Sequence, residues 1–230
     1  MEIRIYELIK GVRKARGLTV IIDVFRAFST ACYIYGNGAR RIIPVGSLRL
    51  AYKLKKENPN FILLGERGGE MPKGFDFGNS PSQIEGFNFK GKTIIQTTSS
   101  GTKGIINAKN RDEIITGSFV NAASIVRYIK FKNPDLVSLV AMGVNGMKSA
   151  DEDILCAKYL ENALMDRTND FRDIVETLKV TPELQKFFDP AKDWFPEKDF
   201  EMCLALDRFN FVLKVEPFDK SHIYLERVDV

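Results

Sequence analysis

A three-layer α/β/α fold, with helices on both faces of a mainly parallel or mixed sheet, is predicted by three observations. Short apolar, β-branched runs alternate along the chain with longer segments of helical period. Small, hydroxylic and charged residues follow those runs, where strand-to-helix loops belong. No internal repeat, low-complexity stretch or linker interrupts the series, so residues 1–230 read as a single domain.

The strands are taken first. "LTVIID" (18–23), "RIIPV" (41–45), "FILLG" (61–65), "KTIIQT" (92–97), "EIIT" (113–116) and "LVSLVAM" (136–142) are apolar on both sides of the chain, as strands of a covered sheet are. Helical period runs over 26–36, 47–57, 80–86, 102–109, 119–131 and 150–166. Ser80-Pro81-Ser82-Gln83 and Ser149-Ala150-Asp151-Glu152 have the residues of capping boxes, the first with proline at the opening helical position. Residues 170–206 are helical and polar, with breaks at Pro182, Pro190 and Pro196. "NFVLKVEPF" and "HIYLERV" close the chain as strands, placed antiparallel at a sheet edge.

Composition narrows the function. An apolar content of 44% supports a substantial core, and 28% charged residues is ordinary for a soluble protein. The formal charge of +4 is spread among nearly as many acids, so neither nucleic acid nor a membrane surface is an expected partner. Cys32, Cys156 and Cys203 form no C-x-x-C pair, which fits a reducing compartment. The N-terminus lacks the apolar region of a signal peptide, and no segment approaches the ~20 apolar residues of a membrane span. A cytoplasmic protein is expected. The single histidine, His222, sits in strand-like alternation near the C-terminus, at a surface or edge position. Chemistry must then run on carboxylates, hydroxyls, arginines or a hard metal.

Those groups collect after the strands. Asp23 to Thr30, Glu66 to Gly69, Thr97 to Thr102, Gly117 to Asn121 and Gly143 to Gly146 all follow core strands. In parallel α/β sheets this edge is where ligands bind. "TTSSGTKG" offers hydroxyls and free N–H groups before a helix, suited to an oxyanion, although it is not a Walker loop. Arg26 and Arg67 can form paired hydrogen bonds to phosphate, carboxylate or sulfonate. Asp23, Glu66, Asp76 and the trio Asp151, Glu152 and Asp153 would repel such an anion unless a cation lies between. Magnesium suits oxygen ligands of this kind. Plainer roles compete: Asp76 in "GFDFGN" as a turn residue, Glu152 as half of a capping box.

With these pieces assembled, the chain resembles the magnesium-dependent 2-phosphosulfolactate phosphatases of coenzyme M biosynthesis. "IDVFRAFSTA" (22–31), "GERGGEMPKGFDFGNSP" (65–81), "GKTIIQTTSSGT" (91–102), "GSFVNA" (117–122), "EDILCA" (152–157) and "CLALDRFNFV" (203–212) carry the likeness in the family's order. The resemblance implies a phosphoric monoester hydrolase acting on a small sulfonated hydroxy acid with Mg²⁺. Asp23, Arg26, Glu66, Arg67, Asp76, Asn79, Ser118, Asn121 and Asp153 occupy motif positions.

The expected division of labour follows. Asp23 and Glu66, helped by Asp153, hold the metal; Arg26 and Arg67 grip substrate anions. Ser99, Ser100, Gly101, Thr102, Asn79, Ser118 and Asn121 surround the remaining oxygens, and Asp76 serves as general base. An aspartyl-phosphate at Asp23 is the alternative to direct water attack, but "DVF" lacks the second aspartate two positions on that haloacid-dehalogenase phosphatases use. Phe25, Phe28 and Ser100 depart from the commoner family pattern. The competing readings are a phosphatase for another small phosphorylated hydroxy acid and a non-catalytic phospho-metabolite binder. A homodimer is left open by the sequence.

Overall fold

All six internal apolar runs become strands, and they join one mixed sheet of nine in the computed structural model, which describes residues 1–108, 112–219 and 222–230. In chain order the strands are β1 (Glu2–Glu7), β2 (Leu18–Ile22), β3 (Arg41–Pro44), β4 (Ile62–Gly65) and β5 (Thr93–Thr97). They continue with β6 (Glu113–Gly117), β7 (Leu136–Ala141), β8 (Phe211–Pro217) and β9 (Ile223–Asp229). The helices are α1 (Leu8–Lys14), α2 (Ala27–Gly36), α3 (Leu48–Glu57), α4 (Gly101–Asn107), α5 (Ala122–Lys132), α6 (Asp151–Leu164), α7 (Phe171–Val180) and α8 (Glu197–Cys203). The helix expected over 102–109 ends at Asn107, and residue 109 lies outside the described residues.

Strand order is β1-β7-β2-β6-β8-β9-β3-β5-β4. β1, β7, β2 and β6 run parallel, as do β3, β5 and β4. The hairpin β8–β9 joins these two parallel blocks by antiparallel pairs, Ile115 with Lys214 and Ile42 with Leu225. The closing strands are therefore central, whereas the sequence suggested an edge. Their alternation could not reveal this, because a hairpin pairs equally well on one side or on both. Strand β1 was not anticipated either, although Ile3 and Ile5 alternate with polar residues as one face of it packs on the core.

The period-2 rule assigns the layers. Val20 and Ile22 of β2 pack with α5, α6 and the 170–206 segment, whereas Ile21 between them faces Phe28 of α2 and Ile105 of α4. Ile42 and Ile94 also face α2 and α4, while Ile43, Leu63 and Ile95 turn to α3. Helices thus cover both faces, the α/β/α arrangement expected. Ser47 starts α3 by accepting from the Leu50 amide, and Asn133 ends α5 in the left-handed conformation at φ +46°.

The same helices impose curvature. Six inter-strand steps separate β2 from β4, a span of about 29 Å across a flat sheet. Yet α2 and α4 fill the hollow between the two blocks, touching Ile21, Val140 and Met142 on one side and Ile42, Leu64 and Ile94 on the other. The sheet wraps around this core, and the carboxyl ends of its distant strands converge. Over 80–86 only one 3₁₀ turn forms, Ser82–Ile84.

Candidate active site

Convergence of the strand ends leaves a cavity of about 320 Å³, lined by Asp23, Arg26, Glu66, Asn79, Ser99, Ser100, Gly143, Glu152, Asp153 and Lys186 among others. That is the size of a small-metabolite site.

Asp23 stands one residue beyond β2. Its Oδ1 accepts the Ala27 amide at 3.0 Å, which starts α2 from the floor of the cavity. Burial pushes the carboxyl up to about 6; the Ala27 and Gly101 amides and Arg26 pull it back, and the charge of Glu66 adds to the rise. Glu66, beyond β4, accepts the Ser99 amide at 2.5 Å, the Ser99 hydroxyl at 2.9 Å and the Gly69 amide at 2.9 Å. Ser100 links two loops, donating to the Gly143 carbonyl at 2.5 Å and accepting the Gly146 amide at 2.9 Å. Asp153, in the first turn of α6, accepts the Val24 amide and the Gly143 amide at 2.8 Å each. Burial, Glu152 and Asp23 hold its carboxyl well above the ordinary range.

Gly101 opens α4 against this cluster. A Cβ there would lie 2.9 Å from Asp23 Oδ2 and 2.8 Å from the Ala27 Cβ. Gly101→Ala is expected to displace the Asp23 carboxylate and to cut kcat at least tenfold, with a smaller effect on thermal stability. Steady-state kinetics beside a thermal melt checks this; wild-type kcat in the variant would show that the carboxylate has room to spare.

Arg26 lines the cavity but is largely committed. Its Nη1 donates to Asp199 at 2.7 Å and to the Trp194 carbonyl at 2.8 Å, and Nη2 donates to the Gly69 carbonyl at 3.2 Å. The guanidinium also lies 4.7 Å from the Phe195 ring centroid. It fastens the 182–199 segment over the cavity. Gly69 takes φ +94°, and a side chain there would strike Phe195.

Asn79 is buried in the cavity wall, and its Oδ1 has no protein partner.

Other expected site residues are held elsewhere. Asp76 is a correction: its carboxylate accepts the Leu63 amide at 2.8 Å and pairs with Lys55 at 3.3 Å on an exposed side of β4. Arg67 turns from the cavity to donate to the Glu66 carbonyl and to Thr97 Oγ1 at 2.7 Å. Thr102 is fully buried and clasps the turn, accepting the Thr98 amide at 2.9 Å. Ser118 bonds Ser29 at 2.6 Å, and Asn121 donates to the Phe211 carbonyl at 3.1 Å. Arg67, Thr102, Ser118 and Asn121 are held by packing and turn contacts behind the site. None of them lines the cavity.

Two residues of the cavity, Glu152 and Lys186, and the buried Asp199 behind Arg26 escaped the sequence reading as site residues. Glu152 does not complete a capping box, because Ser149 turns to Glu7 and α6 starts at Ala150 without a side-chain cap. Its carboxyl enters the cavity instead, where burial pushes it up to about 7. Lys186 and Asp199 come from the polar 170–206 segment, which carries no local signal that would single them out. His222 bonds Asp219 at the hairpin turn, outside the cavity.

The donor chemistry fits magnesium: Asp23 and Glu66 bring hard oxygen atoms into one cavity, and crowding of acids is relieved by a cation. Among the described residues no three acid, histidine or cysteine side chains form a ready metal cage. Magnesium asks for less, commonly one or two carboxylates completed by water and phosphate oxygens.

The fold and the site together define an α/β enzyme with an acid-lined cleft for a small ligand. The family model for 2-phosphosulpholactate phosphatase matches residues 3–217. A relative from Bacillus subtilis (strain 168), named "Probable 2-phosphosulfolactate phosphatase", is 31% identical over 86% of this chain and 87% of its own. Proteins with the same name from Thermotoga petrophila and Thermotoga maritima are 37% and 36% identical, each over 84% of this chain and 86% of their own. The chain belongs to the 2-phosphosulpholactate phosphatase family, a family of phosphoric monoester hydrolases. Among the described residues, no helix is long and apolar enough to cross a membrane.

Proposed function

We propose that this protein hydrolyses 2-phospho-3-sulfolactate to 3-sulfolactate and phosphate with Mg²⁺ held by Asp23 and Glu66 and supported by Asp153. The observation that carries the reading is the meeting of Asp23 and Glu66, from strands six steps apart in the sheet, in one cavity with Asn79 and Ser99. A family match adds the reaction type.

Phosphate monoester hydrolysis is a problem of charge and alignment, since the transferred group already carries negative oxygens. Bound magnesium would supply charge neutralisation and acidify a water. The chain supplies the rest. Ser99 and the Gly69 amide hold the Glu66 carboxylate, and the Ala27 amide holds Asp23. Asn79 lines the cavity beside them. Glu152, whose carboxylate accepts its own amide and feels the charges of Lys186 and Asp23, replaces Asp76 as the group placed to move a proton at the leaving oxygen. Phe25 and Phe195 add an apolar wall to the cavity.

The test is phosphate release from 2-phosphosulfolactate. Chelation by EDTA is expected to abolish turnover at least a hundredfold, and added Mg²⁺ to restore it. Release that ignores EDTA would remove the metal from the reading; tight binding without release over many turnovers would make the protein a binder instead.

A further inference from the structure

The reading above leaves an imbalance in the cavity. Asp23, Glu66, Glu152 and Asp153 line it, while the substrate in question carries a carboxylate and a sulfonate besides its phosphate. Of the two arginines expected to hold those anions, Arg67 lies outside the cavity and Arg26 is neutralised by Asp199, a carboxylate with no solvent exposure. One further cation reaches the cavity lining, Lys186.

Lys186 sits on the 3₁₀ segment Pro182–Phe187, part of the covering segment that Arg26 ties down. Its ammonium lies 4.8 Å from the Phe195 ring centroid and 5.7 Å from that of Phe187. Arg26 lies 4.7 Å from the same Phe195 ring. Two cations therefore share one aromatic wall. Among the described residues no carboxylate comes within salt-bridge distance of Lys186; Glu152, Asp23 and Glu66 of the same cavity attract its charge from farther off, and the rings beside it hold it in place. A half-buried ammonium that makes no contact ion pair, on the wall of an anion's cavity, is placed to act as a recognition group.

Resting on the phosphatase reading, we propose that Lys186 binds the non-reacting oxyanion of the substrate, carboxylate or sulfonate, and so selects phosphomonoesters that carry a second anion. The metal-side acids take the phosphoryl end, and the covering segment reads what lies beyond it. Lys186 is then a specificity residue that acts through substrate affinity and leaves the chemical step to the strand-end acids.

The experiment compares Lys186→Met and Lys186→Arg with the parent chain on three substrates: 2-phosphosulfolactate, 2-phospholactate and phenyl phosphate. In Lys186→Met, the ratio of kcat/KM for 2-phosphosulfolactate to that for phenyl phosphate is expected to fall about 10- to 100-fold, the loss of one charge-assisted hydrogen bond. The fall should lie in KM, and Lys186→Arg should recover most of it. If 2-phospholactate loses as much as 2-phosphosulfolactate, the group read is the carboxylate; if only the sulfonated substrate loses, it is the sulfonate. A ratio unchanged within about twofold, or an equal fall in kcat on all three substrates, overturns the assignment. Should the parent chain release no phosphate at all, the phosphatase reading fails by itself. Calorimetric binding of 3-sulfolactate then decides Lys186: at least tenfold weaker binding in Lys186→Met supports it, and equal binding overturns it.

Discussion

Asp23→Asn is expected to fold normally and to turn over 2-phosphosulfolactate at least about a hundredfold more slowly, the scale of losing a principal charge-stabilising contact. The carboxylate lies at the carboxyl end of a fully buried strand, between the Ala27 and Gly101 amides and beside Glu66. Asparagine keeps an oxygen for the Ala27 amide but loses the charge that a cation or a developing positive centre requires. Folding should not suffer, and the sign can be worked out. Burial raises the Asp23 carboxyl to about 6 in the folded state. Its contribution to stability is thus fully present below the ordinary carboxylate range and is lost as the pH rises through 6. At pH 8 the neutral asparagine removes a buried charge, so the melting temperature should hold or rise. Wild-type turnover in a folded variant would take Asp23 out of the reaction.

Asp199→Ala has the largest expected effect on stability, a loss of about 3–5 kcal/mol. Asp199 has no solvent exposure and receives Arg26 Nη1 at 2.7 Å, the Ser80 hydroxyl at 2.9 Å and the Ser82 amide at 2.9 Å. Alanine would strand a buried guanidinium and two buried donors together. For a chain of this length the melting temperature should drop on the order of 10 °C. Asp199→Asn, which retains an acceptor, should cost less. A shift of under about 2 °C in Asp199→Ala would mean that water reaches Arg26, and that the covering segment is not fastened through this pair. Because Arg26 also holds the Trp194 and Gly69 carbonyls, the same variant should raise KM by loosening the wall that carries Phe195 and Lys186.

Much of the fold was legible because its signals are local. A run such as "LTVII" is buried on both faces wherever its neighbours lie, and helices α2, α3 and α6 begin within a residue of where the hydrophobic period begins. The site was legible in part for a related reason. Polar residues just past strand ends converge in any parallel sheet, and Asp23, Glu66, Ser99 and Ser100 did so, joined by Asp153 from the first turn of α6. Asp76, Arg67, Ser118 and Asn121 lie in the same loops, yet each is drawn off by a nearer partner: Lys55 and the Leu63 amide, Thr97, Ser29, the Phe211 carbonyl. Sequence spacing does not record which of two hydrogen bonds a side chain will choose.

By itself the sequence determined most of the elements, β1 and α1 excepted, their α/β class, the family motifs and the set of acids available for a metal. Only the tertiary structure decided the rest: the central place of the β8–β9 hairpin, the coiling of the sheet about α2 and α4, and the covering segment that brings Lys186 and Phe195 to the cleft and Asp199 to Arg26. The physical reason is range. Propensity, period and caps act over a few residues, whereas the pairing of Arg26 with Asp199 spans 173 positions and depends on burial that no local stretch can encode.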